Sequence, residues 1–435
     1  MRLLVPLPFD VSNLAHGRNL RIAHVLPALQ SNCEVLCVAS NEHIAAAARR
    51  VMPGVEVQVA GRVKGGCPEN HAFHCEPFLV RRSLSFLGYD EGFAEVIARL
   101  GVSADVVAGF DMPSVAPLLA AAETRGENRR PRIVCDLIDD PWLLHRSATR
   151  AYRRSLTGMK AAAAMQVVRC RVLSRFDALT AVAPQDASRL ARVSGRPAVV
   201  VPNGVEASTS AAERRPREPL VVFTGNMSFP ANETAACFVA RKVWPLVLAS
   251  YRCGPAGSSH CRVPTLAIVG ANPTPDVCKL ANLSNVTVTG WVPSVRDWLE
   301  RAQTAVVPML GGTGIKNKIL EACAAGCPVV ATSIATGGLP VGEDFGIIIA
   351  DGPERIAAEL LSLLVDPTRA RRIGSAGLDM VRARFSWSRV AVEFLAVLRG
   401  ETAAPADSDG GSDKQDETYR RCEVEEMEAL THAPS

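Results

Sequence analysis

The sequence predicts an α/β protein built as two Rossmann-like domains in tandem. Three observations lead there. At 435 residues the chain is too long for one ordinary core, so two domains of roughly 150–200 residues are expected. Short, nearly continuous apolar runs alternate with helix-length segments, the mark of parallel strands covered on both faces. The alternation is broken once, by the polar stretch "STSAAERRPREP" (Ser208–Pro219), and then restarts.

In the first half, residues 1–207, the strands are read at "RLLVPLP" (Arg2–Pro8), "CEVLCVAS" (Cys33–Ser40), "VEVQVA" (Val55–Ala60), "ADVVAGF" (Ala104–Phe110), "RIVCDLID" (Arg132–Asp139), "ALTAVA" (Ala178–Ala183) and "AVVVPNGVE" (Ala198–Glu206). Helices fill Leu20–Gln30, Asn41–Val51, Pro113–Glu123 and a long Ala148–Phe176. Residues 208–219 form the linker. The second half, residues 220–400, reads as "LVVFTGNMS", a helix near Asn232–Leu248, "TLAIVG", "VTVTGWV", "TAVVPML", a helix from Gly314, "PVVATS", "GIIIA" and a helix near Pro353–Leu364, with a last helix free to pack back on the first half. Right-handed crossovers and a ligand crevice at the carboxyl edge of each sheet follow from this pattern. Residues 401–435 have the acidic, Gly/Ser/Asp-rich composition of a disordered tail.

Charge narrows the partners. The net charge is +4, but the tail from Glu401 holds ten acids against Lys414, Arg420 and Arg421, a net −7, which leaves +11 on the rest. A basic folded body suits anionic ligands. No basic stripe interleaved with aromatics is present, so nucleic acid is not expected as a partner. Thirteen cysteines in irregular, mostly apolar settings read as reduced core thiols rather than a disulfide frame or a zinc site. No run reaches the ~18 uninterrupted apolar residues of a membrane span, and "MRLLVPLPFD" lacks a secretory leader's pattern. A cytoplasmic protein is expected, with neither cofactor nor metal.

The stretch that carries chemistry is "GGTGIKNKILEACAAGCPVVAT" (Gly311–Thr332). It follows a strand, so its glycines sit at a carboxyl edge, where backbone amides can approach an anion and a helix N-terminus adds positive potential. Lys316 and Lys318 fall in the first turn of that helix. Cations there oppose the macrodipole unless an anion lies between them. The pattern is not G-x-x-x-x-G-K-[ST]. Glu321, a turn further on, would repel a triphosphate but suits a ribose, whose vicinal diol donates to a carboxylate. Pyrophosphate followed by ribose describes a nucleotide diphosphate.

In these motifs the chain resembles the family-4 retaining glycosyltransferases of GT-B fold. The likeness spans most of residues 1–400 and rests on "FTGNMSFPANE" (Phe223–Glu233), "VGANPTPDV", "NVTVTGWVPSVRDWLERAQTAVVPM", the Gly-Thr-Gly helix, "GCPVVATSIATGGL" and "VVVPNGVE" (Val199–Glu206). The resemblance implies that Glu321 occupies the family's ribose-binding second Glu, while Thr313 stands where the first Glu would be. The family's Arg and Lys after the first strand of the second domain are missing from "GNMSFPANE"; Lys316 and Lys318, assisted by Asn226 and Ser228, are the expected replacements, and Gly225 and Asn226 are donor-binding candidates. Gly312, Thr313 and Gly314 would supply donor contacts, and the base would meet backbone near Trp291 and Val292. In the first half, His16, Gly17 and Arg18 stand at the family's Gly-Gly turn, followed by Arg21 and His24, as an acceptor or phosphate loop; His24 equally suits a structural role. "CDLIDDPW" (Cys135–Trp142) puts Ile138 at the family's histidine position, flanked by Asp136, Asp139 and Asp140. Asp139 is the candidate to orient an acceptor hydroxyl, with helix capping before Pro141 as the competing role. The basic "HRSATRAYRRSLTGMK" (His145–Lys160) reads either as a solvated helix face or as a peripheral membrane contact toward a lipid-linked acceptor.

The expectation is therefore a retaining transferase that moves a hexose-type sugar from a nucleotide-diphosphate donor to a hydroxyl acceptor, with Lys316, Glu321 and Asp139 as catalytic residues. A GT-B-fold sugar-nucleotide epimerase and a nucleotide-sugar-binding protein without turnover are the alternatives.

Overall fold

The structure is a computed structural model that describes residues 1–14, 17–62, 80, 83–84, 90–124, 130–138, 155–207, 217–253, 262–311 and 314–401, and Met1–Glu401 form one compact unit. It contains two wholly parallel sheets. The first takes strands β1 (Arg2–Leu7), β2 (Glu34–Ala39), β3 (Glu56–Val59), β4 (Val106–Phe110), β5 (Arg132–Asp136), β6 (Ala178–Ala181) and β7 (Ala198–Val200), in the order β3-β2-β1-β4-β5-β6-β7. The second takes β8 (Glu218–Thr224), β9 (Thr265–Val269), β10 (Val286–Val288), β11 (Ala302–Val307), β12 (Val329–Ala331) and β13 (Ile347–Ile349), in the order β10-β9-β8-β11-β12-β13. Each order reverses once, between β1 and β4 and between β8 and β11. A doubly wound sheet opens a crevice at that place, at its carboxyl edge. The expected α/β fold with two Rossmann-like units is present.

The reason lies in the strands. In β1 only Arg2 is exposed, and Leu3 through Leu7 are buried on both faces; β11 is buried at all six positions. Such strands have no solvated face, so helices must cover both sides. The longer helices are α1 (Gly17–Leu29), α2 (Glu42–Val51), α3 (Glu91–Gly101), α4 (Val115–Glu123), α5 (Leu156–Val167), α6 (Pro184–Ser194), α7 (Pro230–Phe238), α8 (Trp244–Cys253), α9 (Val295–Arg301), α10 (Asn317–Ala324), α11 (Pro353–Val365), α12 (Pro367–Arg384) and α13 (Trp387–Arg399). Cys33, Cys37, Cys135, Cys323 and Cys327 are core residues, and burial pushes the Cys37 thiol up to about 12 and Cys327 to about 11.

Several helix boundaries differ from the sequence expectation. The helix expected over Asn232–Leu248 is α7 and α8 joined by a wide π turn, Val239–Val243. Pro245 has no N–H to donate, so the regular ladder must loosen before it. The long helix expected over Ala148–Phe176 is α5 followed by a π turn at Val168–Val172, and residues 148–154 lie outside the described residues. The helix expected from Gly314 begins at Asn317, because Gly314 has φ +65° and cannot be part of a right-handed helix.

The last helix, α13, packs into the first core. Its Trp387 ring stacks on His24 of α1 at 4.7 Å, and Phe394 lies 5.6 Å from Phe110. Gly204 makes this possible, since a Cβ there would lie 2.5 Å from the Trp387 ring. Entry to the second sheet is held by Arg217, whose guanidinium donates to the carbonyls of Leu299, Ala302, Ala325 and Gly326 at 2.6–2.8 Å. Ala325 and Gly326 follow α10 directly, so Arg217 fixes the end of the helix that carries Lys318 and Glu321.

Candidate active site

The site builds up from the switch point of the second sheet. The turn after β8 is Gly225–Asn226. A Cβ on Gly225 would stand 2.8 Å from Asn232 Nδ2 and 3.1 Å from Lys318 Nζ, and one on Gly270 would stand 1.9 Å from the Gly225 carbonyl oxygen. Only glycines let these backbones meet. Asn226 is exposed, and its Oδ1 accepts from the Ser228 amide and hydroxyl at 3.2 and 2.9 Å. The cation absent from "GNMSFPANE" arrives in space from α10: Lys318 Nζ donates to Asn232 Oδ1 at 2.7 Å and lies 4.4 Å from the Phe223 ring centroid. Every one of these partners is neutral, and among the described residues no carboxylate lies within ion-pair distance of Lys318. Burial, set against attraction from Glu321 and reinforced by Lys316, pushes its pKa down to about 7.

Glu321 follows three residues later, so it shares a face of α10 with Lys318. It is half-buried, its carboxylate has no hydrogen-bond partner among the described residues, and burial raises its pKa while Lys318 pulls it down. A cation without a counter-ion and a carboxylate without a donor thus stand one turn apart. Lys316 is not in the first turn, where the sequence reading put it, but at the N-cap of α10, because the helix starts at Asn317 and not at Gly314. It is half-buried, with Nζ 3.4 Å from the Gly314 carbonyl. Gly314 is buried and pinned by Gly337, where a Cβ would lie 2.3 Å from the Gly314 oxygen. Gly312 and Thr313 lie outside the described residues. Trp291 is 73% exposed at the edge beyond β10, and Val292 beside it is half-buried against the second core.

The first sheet meets this helix. The Cβ position of Gly17, the first residue of α1, is 3.4 Å from Asn317 Nδ2, and Asn203 Nδ2 donates to Asn317 Oδ1 at 2.9 Å. The N-termini of α1 and α10 therefore converge. A few residues away, Ile315 packs on Ile138, Val182 and Ala183 of the first half. Ile138 has φ +60°, unusual for a β-branched residue.

Arg18, the next residue of α1, does not stand free. Its Nη1 donates to Asp111 Oδ2 at 3.1 Å, and its guanidinium lies 3.7 Å from the Phe9 ring centroid. Asp111 follows β4, across the switch point from β1. Its backbone sits at φ +64°, ψ 173°, a region where a residue other than glycine is strained by about 1–3 kcal/mol. Arg21 is fully buried: Nε donates to Asp136 Oδ2 at 2.5 Å and Nη1 to the Pro202 carbonyl at 2.7 Å. Asp136 Oδ1 accepts from Thr180 at 2.8 Å. Arg21 and Asp136, both close to predicted acceptor residues in sequence, are therefore a buried core pair, with Arg21 Nη2 left without a hydrogen-bond partner. His24 is half-buried under Trp387 and burial lowers its pKa, which makes it a packing residue. His16, Asp139 and Asp140 lie outside the described residues, as does the segment 145–154 of the predicted basic helix.

Sequence reasoning missed Asn232, Asn203, Asn317 and Asp111. Asn232 and Asn203 stand inside quoted motifs, but an asparagine carries no charge to draw notice. Asp111 had a usable signal: it is the first residue after β4, beside the strand-order reversal. Among the described residues no three His, Cys, Asp or Glu side chains cluster as metal ligands, and no helix is long and apolar enough to cross a membrane.

Residues 218–366 match the family model described as "Glycosyl transferases group 1". The chain is 42% identical over 94 residues to a D-inositol 3-phosphate glycosyltransferase of Segniliparus rotundus, an alignment covering 20% of each protein. It is 37% identical over 95 residues to a GDP-mannose-dependent alpha-(1-6)-phosphatidylinositol monomannoside mannosyltransferase of Mycobacterium tuberculosis, covering 21% of this chain and 24% of that protein. These alignments thus span a quarter or less of the relatives' lengths. Sucrose-phosphate synthase from Thermosynechococcus elongatus superposes with a TM-score of 0.58 at 18% identity, over 92% of this chain and 99% of that one. At that identity the likeness concerns fold, and the fold is GT-B.

Proposed function

We propose that this chain, whose residues 218–366 match the group 1 glycosyltransferase model, transfers a hexose-type sugar from a nucleotide-diphosphate donor to a hydroxyl acceptor with retention at the anomeric carbon. One observation carries the reading: Lys318 without a counter-ion and Glu321 without a hydrogen-bond donor, one turn apart on the helix at the switch point of the second sheet. A nucleoside diphosphate sugar completes both. Its diphosphate meets Lys318, Lys316 and the amides ahead of α10; its ribose diol donates to Glu321, each charge-assisted bond contributing about 1.5–3 kcal/mol. The base then lies toward Trp291 and Val292.

In the reaction the bond from the sugar C1 to the diphosphate oxygen breaks, and the bond from C1 to the acceptor oxygen forms on the same face. The acceptor's proton passes to the departing diphosphate. The electron pair of the broken bond stays on that leaving group, where Lys316 and Lys318 stabilise it in the manner of an oxyanion hole. The sugar carries transient positive charge, and contact between the two halves around Asn203, Asn317 and Ile315 keeps water from intercepting it. Asp139 is the sequence candidate for orienting the acceptor hydroxyl. The hydroxyl acceptor is a glycan, a lipid-linked group or a secondary metabolite, and the setting cytoplasmic.

The experiment begins with thermal shifts against UDP-, GDP- and dTDP-sugars, since a ligand that binds only the folded state raises Tm. Initial rates with the selected donor follow. Lys318→Ala and Glu321→Ala should each lower kcat/KM for the donor by about 10–150-fold, and Lys316→Ala should lower kcat more than it raises KM. Wild-type kinetics in all three variants would overturn the assignment. Release of an altered sugar without any acceptor would replace transfer by epimerisation.

A further inference from the structure

The geometry points to Asp111 and Arg18 as the acceptor-binding pair, and to an uncharged polyol hydroxyl, not a phosphate, as the group they hold. The inference rests on the transfer reading above and adds the acceptor's chemical class to it. Asp111 stands on the carboxyl edge of β4 at the switch point of the first sheet, where a doubly wound sheet binds its ligand. Arg18 is the residue after Gly17, whose Cβ position lies 3.4 Å from Asn317 at the head of the donor helix. The pair therefore begins one residue from the contact between α1 and the head of the donor helix.

Asp111 keeps a glycine-like backbone although it is not glycine. Three hydrogen bonds hold it there: its N–H donates to the Asp136 carbonyl at 2.6 Å, its Oδ1 accepts from the Met112 amide at 2.7 Å, and its carbonyl accepts from Ser114 at 3.0 Å. Glycine would remove the strain, and asparagine would serve the Met112 bond as well. Neither would neutralise Arg18. The carboxylate is thus retained at a conformational cost for its charge. That charge decides the ligand. With its guanidinium paired at 3.1 Å and stacked on Phe9, Arg18 offers no net positive field to an anion. The side chains are 15% and 29% exposed, so they remain reachable. Arg18 Nη2 has no partner among the described residues and can donate, while Asp111 can accept. One donor beside one acceptor, with no net charge, matches vicinal hydroxyls.

The test uses the full chain, the donor selected by thermal shift, and three acceptor pairs: myo-inositol with inositol 1-phosphate, glucose with glucose 6-phosphate, and fructose with fructose 6-phosphate. The wild type should favour the neutral member. Asp111→Asn and Asp111→Gly should lower acceptor kcat/KM at least 10-fold, leave the donor KM within twofold, and keep or raise Tm, a combination that loss of a merely structural ion pair does not produce. Asp111→Asn should also move preference toward the phosphorylated members by freeing Arg18. A wild-type preference for the phosphorylated member, or unchanged acceptor kcat/KM in both variants, overturns the assignment. Failure of the wild type to bind any nucleotide sugar sinks the transfer reading instead. In that case calorimetric titration of the same pairs decides the subsite by itself: a neutral preference that Asp111→Asn reverses upholds it, and no such preference overturns it.

Discussion

The two switch points share one pattern of strand-order reversal, yet they treat positive charge in opposite ways. At the second, the contacts of Lys318 are Asn232, the Phe223 ring and the Met309 sulfur, all neutral; Glu321 attracts it from one turn away, and among the described residues no carboxylate lies within ion-pair distance of it. At the first, among the described residues, Arg18 is matched by Asp111 and the buried Arg21 by Asp136, so neither arginine is left without a counter-ion. A motif that counts basic residues would rank the two edges in the wrong order. Counter-ions set the local field, and here they leave one cation unmatched at the second edge and match both arginines at the first.

The largest expected effect comes from breaking the deepest of these neutral pairs. Asp136→Ala leaves the buried Arg21 guanidinium uncompensated and should lower stability by about 3–5 kcal/mol, read by urea unfolding at pH 7. Little change there would mean that the first edge does not depend on pairing. A second change makes the second edge resemble the first: Asn232→Asp gives Lys318 a carboxylate. Affinity for a nucleotide-diphosphate sugar should fall about 10–100-fold, the worth of one charge-assisted contact, measured by calorimetry. Affinity equal to wild type would show that the diphosphate does not use Lys318.

The smallest effect is a pH dependence. Burial pushes Lys318 down to about 7, so above that pH most of the free protein lacks this proton, and a bound diphosphate must restore it. A diphosphate diester has no titrating group of its own in this range. Its Kd should rise with pH above about 7, by at most tenfold per unit, and Lys318→Arg should flatten the curve because a guanidinium stays charged. The stability term has the corresponding sign. The unfolded chain holds the Lys318 proton up to its ordinary pKa of 10.5 and the folded chain releases it near 7, so the burial penalty is fully present below about 7 and is relieved as pH rises toward 10.5. A pH-independent Kd in the wild type would contradict the protonated contact.

Much of the site was legible because some of its signals are local. The glycines of the β8 turn and of Gly314 announce close backbone approach, and Lys318 and Glu321 share a helix face by spacing alone. What was not legible depended on distance along the chain. Lys318 meets Asn232 across 86 positions, Arg18 meets Asp111 across 93, and Arg21 meets Asp136 across 115. Arg18 and Arg21 stand three residues apart in "HGRNLRIAHVL", yet one keeps part of its side chain exposed and the other is sealed in the core. The helix start moved from Gly314 to Asn317 for a conformational reason, the left-handed backbone of Gly314, that composition does not encode.

By itself, the sequence determined the class of fold, the tandem repetition of the sheet, and the helix that carries a cation and an acid one turn apart. These follow from apolar periodicity and from glycine's freedom, which act over a few residues. The tertiary structure alone decided which charges were cancelled and which were left over. Electrostatic energy depends on the separation of groups in space and on their burial, and both were set only when the carboxyl edges of two sheets and the N-termini of two helices came together around Asn203 and Asn317.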